Sequence, residues 1–243
     1  MKLFALLITW LNILACLAGC QSMPQPSPGM AALRVNVIAE PKSGYKSADS
    51  VSVYDNIGSS PSLGEGAYER VNYSALDEIV VWAEPSGAGG GSRATATIDV
   101  NAAKPSRNVD RAVAIGQRIV LRNQGTKPAN IYSVSDGNEF DLGTIPAGGA
   151  GEYTIKSAGV IEILCLGAKE PVALIYAAPT GWVSLTRSGK SVDFNDLPPG
   201  QCRVFSWHPR LPGSETSVLL SPNQVGTASI RVGVNALPKV APR

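Results

Sequence analysis

The feature that most constrains the fold of this chain is a series of short β-prone runs separated by turn residues. These runs cover residues 33–39, 78–83, 94–100, 117–122, 151–156, 160–166, 172–177, 182–186, 203–207, 217–220 and 229–234. Several of them, such as residues 94–100, alternate between apolar and polar positions, which is the period of a half-buried strand. Glycine, proline and asparagine occupy the connections, and no long stretch has helical periodicity. The pattern therefore predicts an all-β protein made of sandwiches or barrels.

The first twenty residues indicate where the protein is located. After Lys2, residues 3–17 are almost entirely apolar, which fits a secretory signal peptide and is too short for a spanning helix. The run ends in Leu-Ala-Gly-Cys at residues 17–20, which resembles the lipobox of bacterial lipoprotein precursors. An ordinary signal peptide with a chance cysteine at position 20 is the alternative.

The lipobox resemblance implies that residues 1–19 are a signal peptide and that Cys20 becomes a lipidated N-terminus. Residues 20–30, which are polar and rich in proline, would then be a tether. We therefore expect a membrane anchor through Cys20 on the periplasmic face of the cell envelope. Gln21 is not aspartate, so the usual inner-membrane retention signal is absent and the outer membrane is favoured.

The charge of the chain gives no reason to expect a nucleic-acid partner. Removal of residues 1–19 takes away only Lys2, so 20 of the 21 basic residues remain beside 19 acidic ones. Nucleic-acid binding domains usually carry a marked excess of lysine and arginine. The sequence therefore favours a partner that is another envelope protein or a surface ligand.

Two of the four cysteines remain once the signal peptide and the lipidated residue are set aside. These are Cys165 and Cys202. In an oxidising compartment they could form one disulfide. The alternative is two buried thiols that behave as small apolar side chains.

Composition divides the mature chain into three segments. Residues 31–104 form a β-rich N-terminal segment, residues 105–178 form a central unit, and residues 179–243 form a smaller β unit. Both boundaries lie in sequence rich in proline and glycine.

The central unit carries ordered motifs. Val-Ala-Ile-Gly-Gln at residues 113–117 is a glycine turn that leads into a strand ending at Asn123, and Phe-Asp-Leu-Gly at residues 140–143 and Ile-Leu-Cys at residues 163–165 follow. These motifs resemble the cupredoxin (plastocyanin-like) domain of periplasmic proteins of the methylamine-utilisation type. The resemblance implies a cupredoxin-like Greek-key β-sandwich.

The same resemblance implies a copper site that has lost most of its ligands. The two histidine positions of the family fall on Asn130 and Ala168, the axial methionine position falls on Pro171, and only Cys165 remains. The sole histidine of the chain, His208, lies well downstream. Because a blue-copper centre needs two imidazoles and a thiolate, we expect no metal and no cofactor here. The alternative is a copper-binding or electron-transfer protein with an unusual site that uses Cys165.

The C-terminal segment carries a second resemblance. Leu-Pro-Pro-Gly at residues 197–200 and Trp-His-Pro-Arg at residues 207–210 resemble the carboxypeptidase-regulatory-like (transthyretin-like) β-sandwich. Such modules are generally structural or adhesive and carry no catalytic group. The resemblance implies that Trp207 fills the core of a smaller β-sandwich module.

Other reactive side chains do not form a recognisable catalytic pattern. His208 could act as a base for Ser206 or Ser214, but no nucleophile-elbow motif is present. Two carboxylate pairs, residues 77–78 and residues 193 and 196, are typical of solvated turn residues. We therefore predict no enzymatic activity and no catalytic residues.

Aromatic residues cluster in the N-terminal half, and they could line a binding face or belong to the core and edges of sheets. They are Tyr45, Tyr54, Tyr68, Tyr73 and Trp82. Together the sequence predicts a lipid-anchored envelope protein that acts as a non-catalytic binding or scaffolding module.

Overall fold

A computed structural model describes residues 24–40, 72–87 and 90–233. Within these ranges the chain forms fifteen strands and no helix, so the all-β prediction is confirmed. In chain order they are β1 (Ala31–Ala39), β2 (Ile79–Pro85), β3 (Ala96–Val100), β4 (Val109–Ala114), β5 (Arg118–Asn123), β6 (Ala129–Ser133), β7 (Phe140–Ile145), β8 (Ala150–Thr154), β9 (Gly159–Cys165), β10 (Ala173–Ala178), β11 (Val183–Thr186), β12 (Ser191–Leu197), β13 (Gly200–His208), β14 (Leu211–Leu220) and β15 (Val225–Val232). Among the residues described, no helix has the length and apolar character needed to cross a membrane.

The strands form two sandwiches, and the first, which we call the inner sandwich, is made from β3 to β10. One of its sheets has the strand order β4-β10-β9-β6-β7 and the other the order β3-β5-β8. Neighbours that are far apart in sequence, such as β4 and β10, show that the connections cross between the sheets, as in Greek-key folds. Its core contains Ile119, Leu121, Ile161 and Ile163, all fully buried. The alternation predicted for residues 94–100 places Ile98 and Val100 in this core.

The outer sandwich, as we name the second, is assembled from both ends of the chain. Its sheets have the orders β12-β1-β15 and β11-β2-β13-β14. The central strand β1 pairs antiparallel with β12 and parallel with β15, so Leu33 lies opposite both Phe194 and Gly226. Leu33, Val35, Ile79 and Val204 are fully buried in the core between the sheets.

This arrangement differs from the three segments expected from composition. Strands from residues 31–85 and from residues 183–232 share both sheets of the outer sandwich, and β3 belongs to the inner one. The physical reason is that β1 has its hydrogen-bonding partners in the C-terminal third of the chain. Composition predicts where turns and linkers lie, but it does not predict which distant strands pair with each other.

Two connections join the sandwiches, and they pass each other at a pair of glycines. The amide of Gly181 donates to the carbonyl of Gly90 at 2.7 Å, and Gly91 and Gly181 form an isolated bridge. A Cβ added at Gly91 would lie 2.3 Å from the carbonyl carbon of Gly181, so only glycine permits this approach. This close contact fixes the position of the β2–β3 connection relative to the β10–β11 connection.

The sandwiches also pack face to face. Val80 of β2 and Tyr176 and Ala178 of β10 are buried in a cluster that is separate from both cores. Val109, at the start of β4, completes it, and its amide donates to the Glu78 side chain at 3.1 Å. The two sandwiches therefore share an apolar interface in addition to their covalent links.

Candidate functional site

The structure brings together, at the end of β9, the three positions that the sequence resemblance aligns with metal ligands. Ile131 of β6 pairs with Cys165 of β9, and the amide of Leu166 donates to the carbonyl of Asn130 at 3.1 Å. The chain then turns back, and the amide of Ala168 donates to the carbonyl of Cys165 at 3.0 Å. Residues 130, 165 and 168 are thus neighbours, as the cupredoxin resemblance implies.

The donor atoms at this place do not fit a copper ion. Asn130 offers an amide and Ala168 offers only a methyl group, so Cys165 is the one residue of the three with a donor that copper favours, and burial raises the pKa of its thiol. His208 belongs to the outer sandwich and cannot supply the missing imidazole to the end of β9. Within the described parts of the chain, no cluster of three or more His, Cys, Asp or Glu side chains could hold a metal ion.

The two cysteines are free thiols that lie in different cores. Cys165 lies in the core of the inner sandwich and Cys202 in that of the outer one. Burial raises the pKa of Cys202 to about 11. The disulfide that the sequence left open is not formed, because each side chain points into its own sandwich.

His208 has a structural place in the outer sandwich. The ring is 3 % exposed, and its Nδ1 accepts a hydrogen bond from the amide of Arg210 at 3.1 Å. Burial, and then the charge of Arg210, lower its pKa, whereas a hydrogen bond with the backbone of Asp77 acts in the opposite direction. The neutral imidazole thus joins the end of β13 to the segment that leads into β2.

The serines that a catalytic histidine would need are bonded to each other. Ser206 and Ser214 face one another on β13 and β14, with their Oγ atoms 2.8 Å apart. The amide of Ser214 also donates to the Ser206 Oγ at 3.3 Å. This arrangement stabilises the pairing of the two strands.

The carboxylates considered as pairs make separate structural contacts. Asp193 accepts hydrogen bonds from Nε and Nη2 of Arg34 in a bidentate ion pair, each at 2.7 Å. Asp196 accepts the amide of Ser27 at 2.7 Å, and this hydrogen bond holds the pKa of the carboxyl below its usual value. Asp193 and Asp196 therefore hold two different segments of the chain, β1 and the segment before it.

An aromatic row crosses the boundary between the sandwiches. Phe205 stacks on Trp82 with ring centres 5.2 Å apart, Trp82 contacts Tyr176 at 5.5 Å, and Tyr176 stacks on Trp207 at 4.5 Å. Trp207 is half-buried on the outward face of β13, so the expectation that it fills a sandwich core is wrong. The structure describes two residues of the predicted aromatic cluster, Tyr73 and Trp82, and of these two Trp82 joins the row. Tyr45, Tyr54 and Tyr68 lie outside the described residues.

Trp82, Phe205 and Trp207 of this row also line a groove. Its volume is about 1110 Å³, and residues of β13, β14 and β15 contribute to its walls. It is lined by Glu40, Trp82, Phe205, Ser206, Trp207, Gly213, Ser214, Glu215, Thr216, Ser229, Ile230, Arg231, Val232 and Gly233. Glu40 and Arg231 form an ion pair at 3.1 Å along one wall, and Glu215 projects from the other. Sequence reasoning did not predict this groove, because its walls come from five separated segments.

Comparison with known proteins identifies no family for this chain. No family model matches it, and no curated protein matches it either. Solved structures that match include a purple cupredoxin from Nitrosopumilus maritimus, which is 20% identical and has a TM-score of 0.27 over 34% of this chain and 99% of that chain. An oxidized mutant of amicyanin is 16% identical, with a TM-score of 0.29 over 40% of this chain and 99% of that chain. A reduced mutant of amicyanin is 15% identical, with a TM-score of 0.28 over 42% of this chain and 100% of that chain. At TM-scores this low the matches carry no argument about function.

Proposed function

We propose that the protein is a lipid-anchored envelope protein that acts as a non-catalytic binding or scaffolding module, with a degenerate cupredoxin domain as its inner sandwich. The observation that carries the proposal is the contrast between the end of β9 and the groove. At the end of β9 the positions that the cupredoxin resemblance aligns with metal ligands lie together, but of the three only Cys165 has a donor that copper favours. The groove instead combines three aromatic side chains with charged and hydroxyl groups.

The groove has the size and composition of a recognition site. Binding sites usually combine apolar and aromatic walls with a few polar groups that fix the orientation of the ligand. Phe205 and Trp82 form the aromatic wall, and Glu84 fixes the Trp82 indole by accepting its Nε1–H at 2.8 Å. Arg203 lies over the Phe205 ring at 5.0 Å and pairs with Glu84, so the wall is rigid. A rigid aromatic wall lowers the entropic cost of binding a partner.

A photo-crosslinking experiment in intact cells tests this site. The photoreactive residue benzoylphenylalanine replaces Glu215, which is exposed in the groove, and in a matched control it replaces Glu162, which is exposed on the inner sandwich. The proposal predicts a discrete crosslinked species from position 215 that is lost when Phe205→Ala is added, and none from position 162. No adduct at 215, or the same adduct at both positions, would refute the proposed site.

A further inference from the structure

The segment that leads from the proposed lipid anchor is held against one end of the outer sandwich. The amide of Ser27 donates to the Asp196 carboxylate at 2.7 Å, and the amide of Gly29 donates to the Asn223 side chain at 2.7 Å. The amide of Asn223 donates in turn to the carbonyl of Met30 at 2.6 Å, and Pro24 is buried. The tether therefore does not leave the domain freely: it is bound there as far back as residue 24.

Both side chains that hold the tether have an uncommon backbone conformation. Asp196 has a φ of 56° and Asn223 a φ of 60°, in the left-handed region that costs free energy for residues other than glycine. Aspartate and asparagine tolerate this region best, and here their side chains accept amides of the tether. Asp196, near the end of β12, and Asn223, in the turn before β15, thus each present a hydrogen-bond acceptor to the segment that leads to Cys20.

We infer that this end of the outer sandwich, which we call the tether pole, contacts the lipid surface directly. The inference rests on the proposed lipid anchor at Cys20. Cys20 lies four residue steps before Pro24, and an extended chain of four steps spans at most about 14 Å. The turns at residues 197–200 and 221–224, which flank the bound tether, are therefore held at the membrane interface.

The composition of the tether pole fits a contact with lipid that depends on apolar side chains and not on electrostatic attraction. Residues 24–33, 196–202 and 216–230 contain one charged side chain, Asp196, whose carboxylate accepts the Ser27 amide, and no lysine or arginine. Leu219 is 72 % exposed, and Pro199 and Pro222 at the turns are exposed as well. Polybasic segments bind anionic lipids through lysine and arginine, which are missing from these ranges, so the contact is apolar and insensitive to salt.

Strand directions place the degenerate metal positions at the opposite end. β2 ends at the tether pole, where Pro85 pairs with Cys202, and begins beside Glu78 at the far end. Glu78 binds the first residue of β4, β10 runs parallel to β4, and β9 runs antiparallel to β10. Cys165, the last residue of β9, therefore lies at the end of the molecule that points away from the membrane.

Fluorescence quenching of the lipidated protein in vesicles tests the inference. A fluorophore is attached to Leu219→Cys or to the matched control Leu166→Cys, which is 74 % exposed at the end of β9. The native thiols are buried and are not labelled. In phosphatidylcholine vesicles that contain a lipid with a nitroxide on its headgroup, we expect quenching at position 219 to be several-fold stronger than at 166, with no change at high salt.

Two further variants distinguish a failure of this inference from a failure of the proposed lipid anchor. Asp196→Gly and Asn223→Gly keep the left-handed backbone but remove the acceptors, so the difference between the two labels should shrink while the protein remains bound to vesicles. Equal quenching at both positions in the unmodified background, or stronger quenching at 166, would overturn the inference. A mature chain that does not bind vesicles at all would instead refute the lipid anchor and the proposed function with it.

Discussion

The inner and outer sandwiches have similar cores but are assembled from the chain in different ways. All strands of the inner sandwich come from one continuous segment, residues 96–178. The outer sandwich needs β1 and β2 from the N-terminal side and five strands from the C-terminal side, with β1 between β12 and β15. The inner sandwich is therefore an insertion between β2 and β11 of the outer sandwich, and not the second of three consecutive domains.

Truncation should affect the two sandwiches most differently. A fragment of residues 93–180 keeps every strand of the inner core and should fold. A fragment of residues 179–243 lacks β1 and β2, and the buried faces of β12, β13 and β15 would lie open to water, so it should remain unfolded. Circular dichroism and amide proton dispersion check both outcomes. Cooperative unfolding of the fragment 179–243 would show that it is an independent module, as composition suggested.

The contact between the sandwiches should have the next largest effect. Tyr176→Ala removes a ring that contacts both Trp82 and Trp207, and loss of a buried aromatic side chain costs about 3 kcal/mol. We expect unfolding in denaturant to separate into two transitions, because the coupling between the sandwiches is weakened. Tyr176→Phe keeps the ring and should retain a single transition. Two transitions already present in the unmodified protein would show that the interface does not couple the sandwiches.

The sequence predicted some strands and contacts of the molecule and missed others. Alternation identified strands that bury one face, such as β3 and β5. It did not predict β12, because the polar residues Asp193, Asn195 and Asp196 dominate a segment in which Val192 and Phe194 are buried. It also gave no sign of the aromatic row, since Trp82 and Tyr176 are far apart in sequence and meet only because β2 and β10 pack across the interface. The bound tether was missed for a related reason, because its acceptors depend on the backbone conformation of two turns.

Acidification should weaken the outer sandwich specifically. The pKa of His208 is lowered in the folded protein, so the unfolded chain binds a proton first as the pH falls below about 6.5. The contribution of the neutral ring is therefore present above that pH and is lost toward pH 5, by at most about 1.4 kcal/mol per pH unit. Denaturant midpoints at pH 7.5, 6 and 5 measure the loss. His208→Gln should flatten this dependence, and an unchanged slope would assign it to carboxylates.

The smallest expected effects come from two ion pairs, one in each sandwich. The Arg34–Asp193 pair is bidentate and its side chains are 16 % and 33 % exposed, whereas those of Arg122 and Asp99 are 46 % and 51 % exposed. Exposed ion pairs are screened by water and contribute little to stability, so Arg122→Ala should change the free energy of unfolding little. Arg34→Ala should cost more. Equal costs in equilibrium unfolding would mean that burial does not distinguish the two pairs.

Metal and thiol analysis of residues 21–243 tests the central claim, that the inner sandwich brings together the positions aligned with copper ligands but holds only one copper donor there, Cys165. After copper loading and desalting, we predict no stoichiometric copper and no intense thiolate-to-copper absorption. Two thiols should titrate once the chain is unfolded, and very little in the native state, because Cys165 and Cys202 are buried with raised pKa values. One copper per chain with that absorption, lost in Cys165→Ser, would contradict the account and would favour electron transfer.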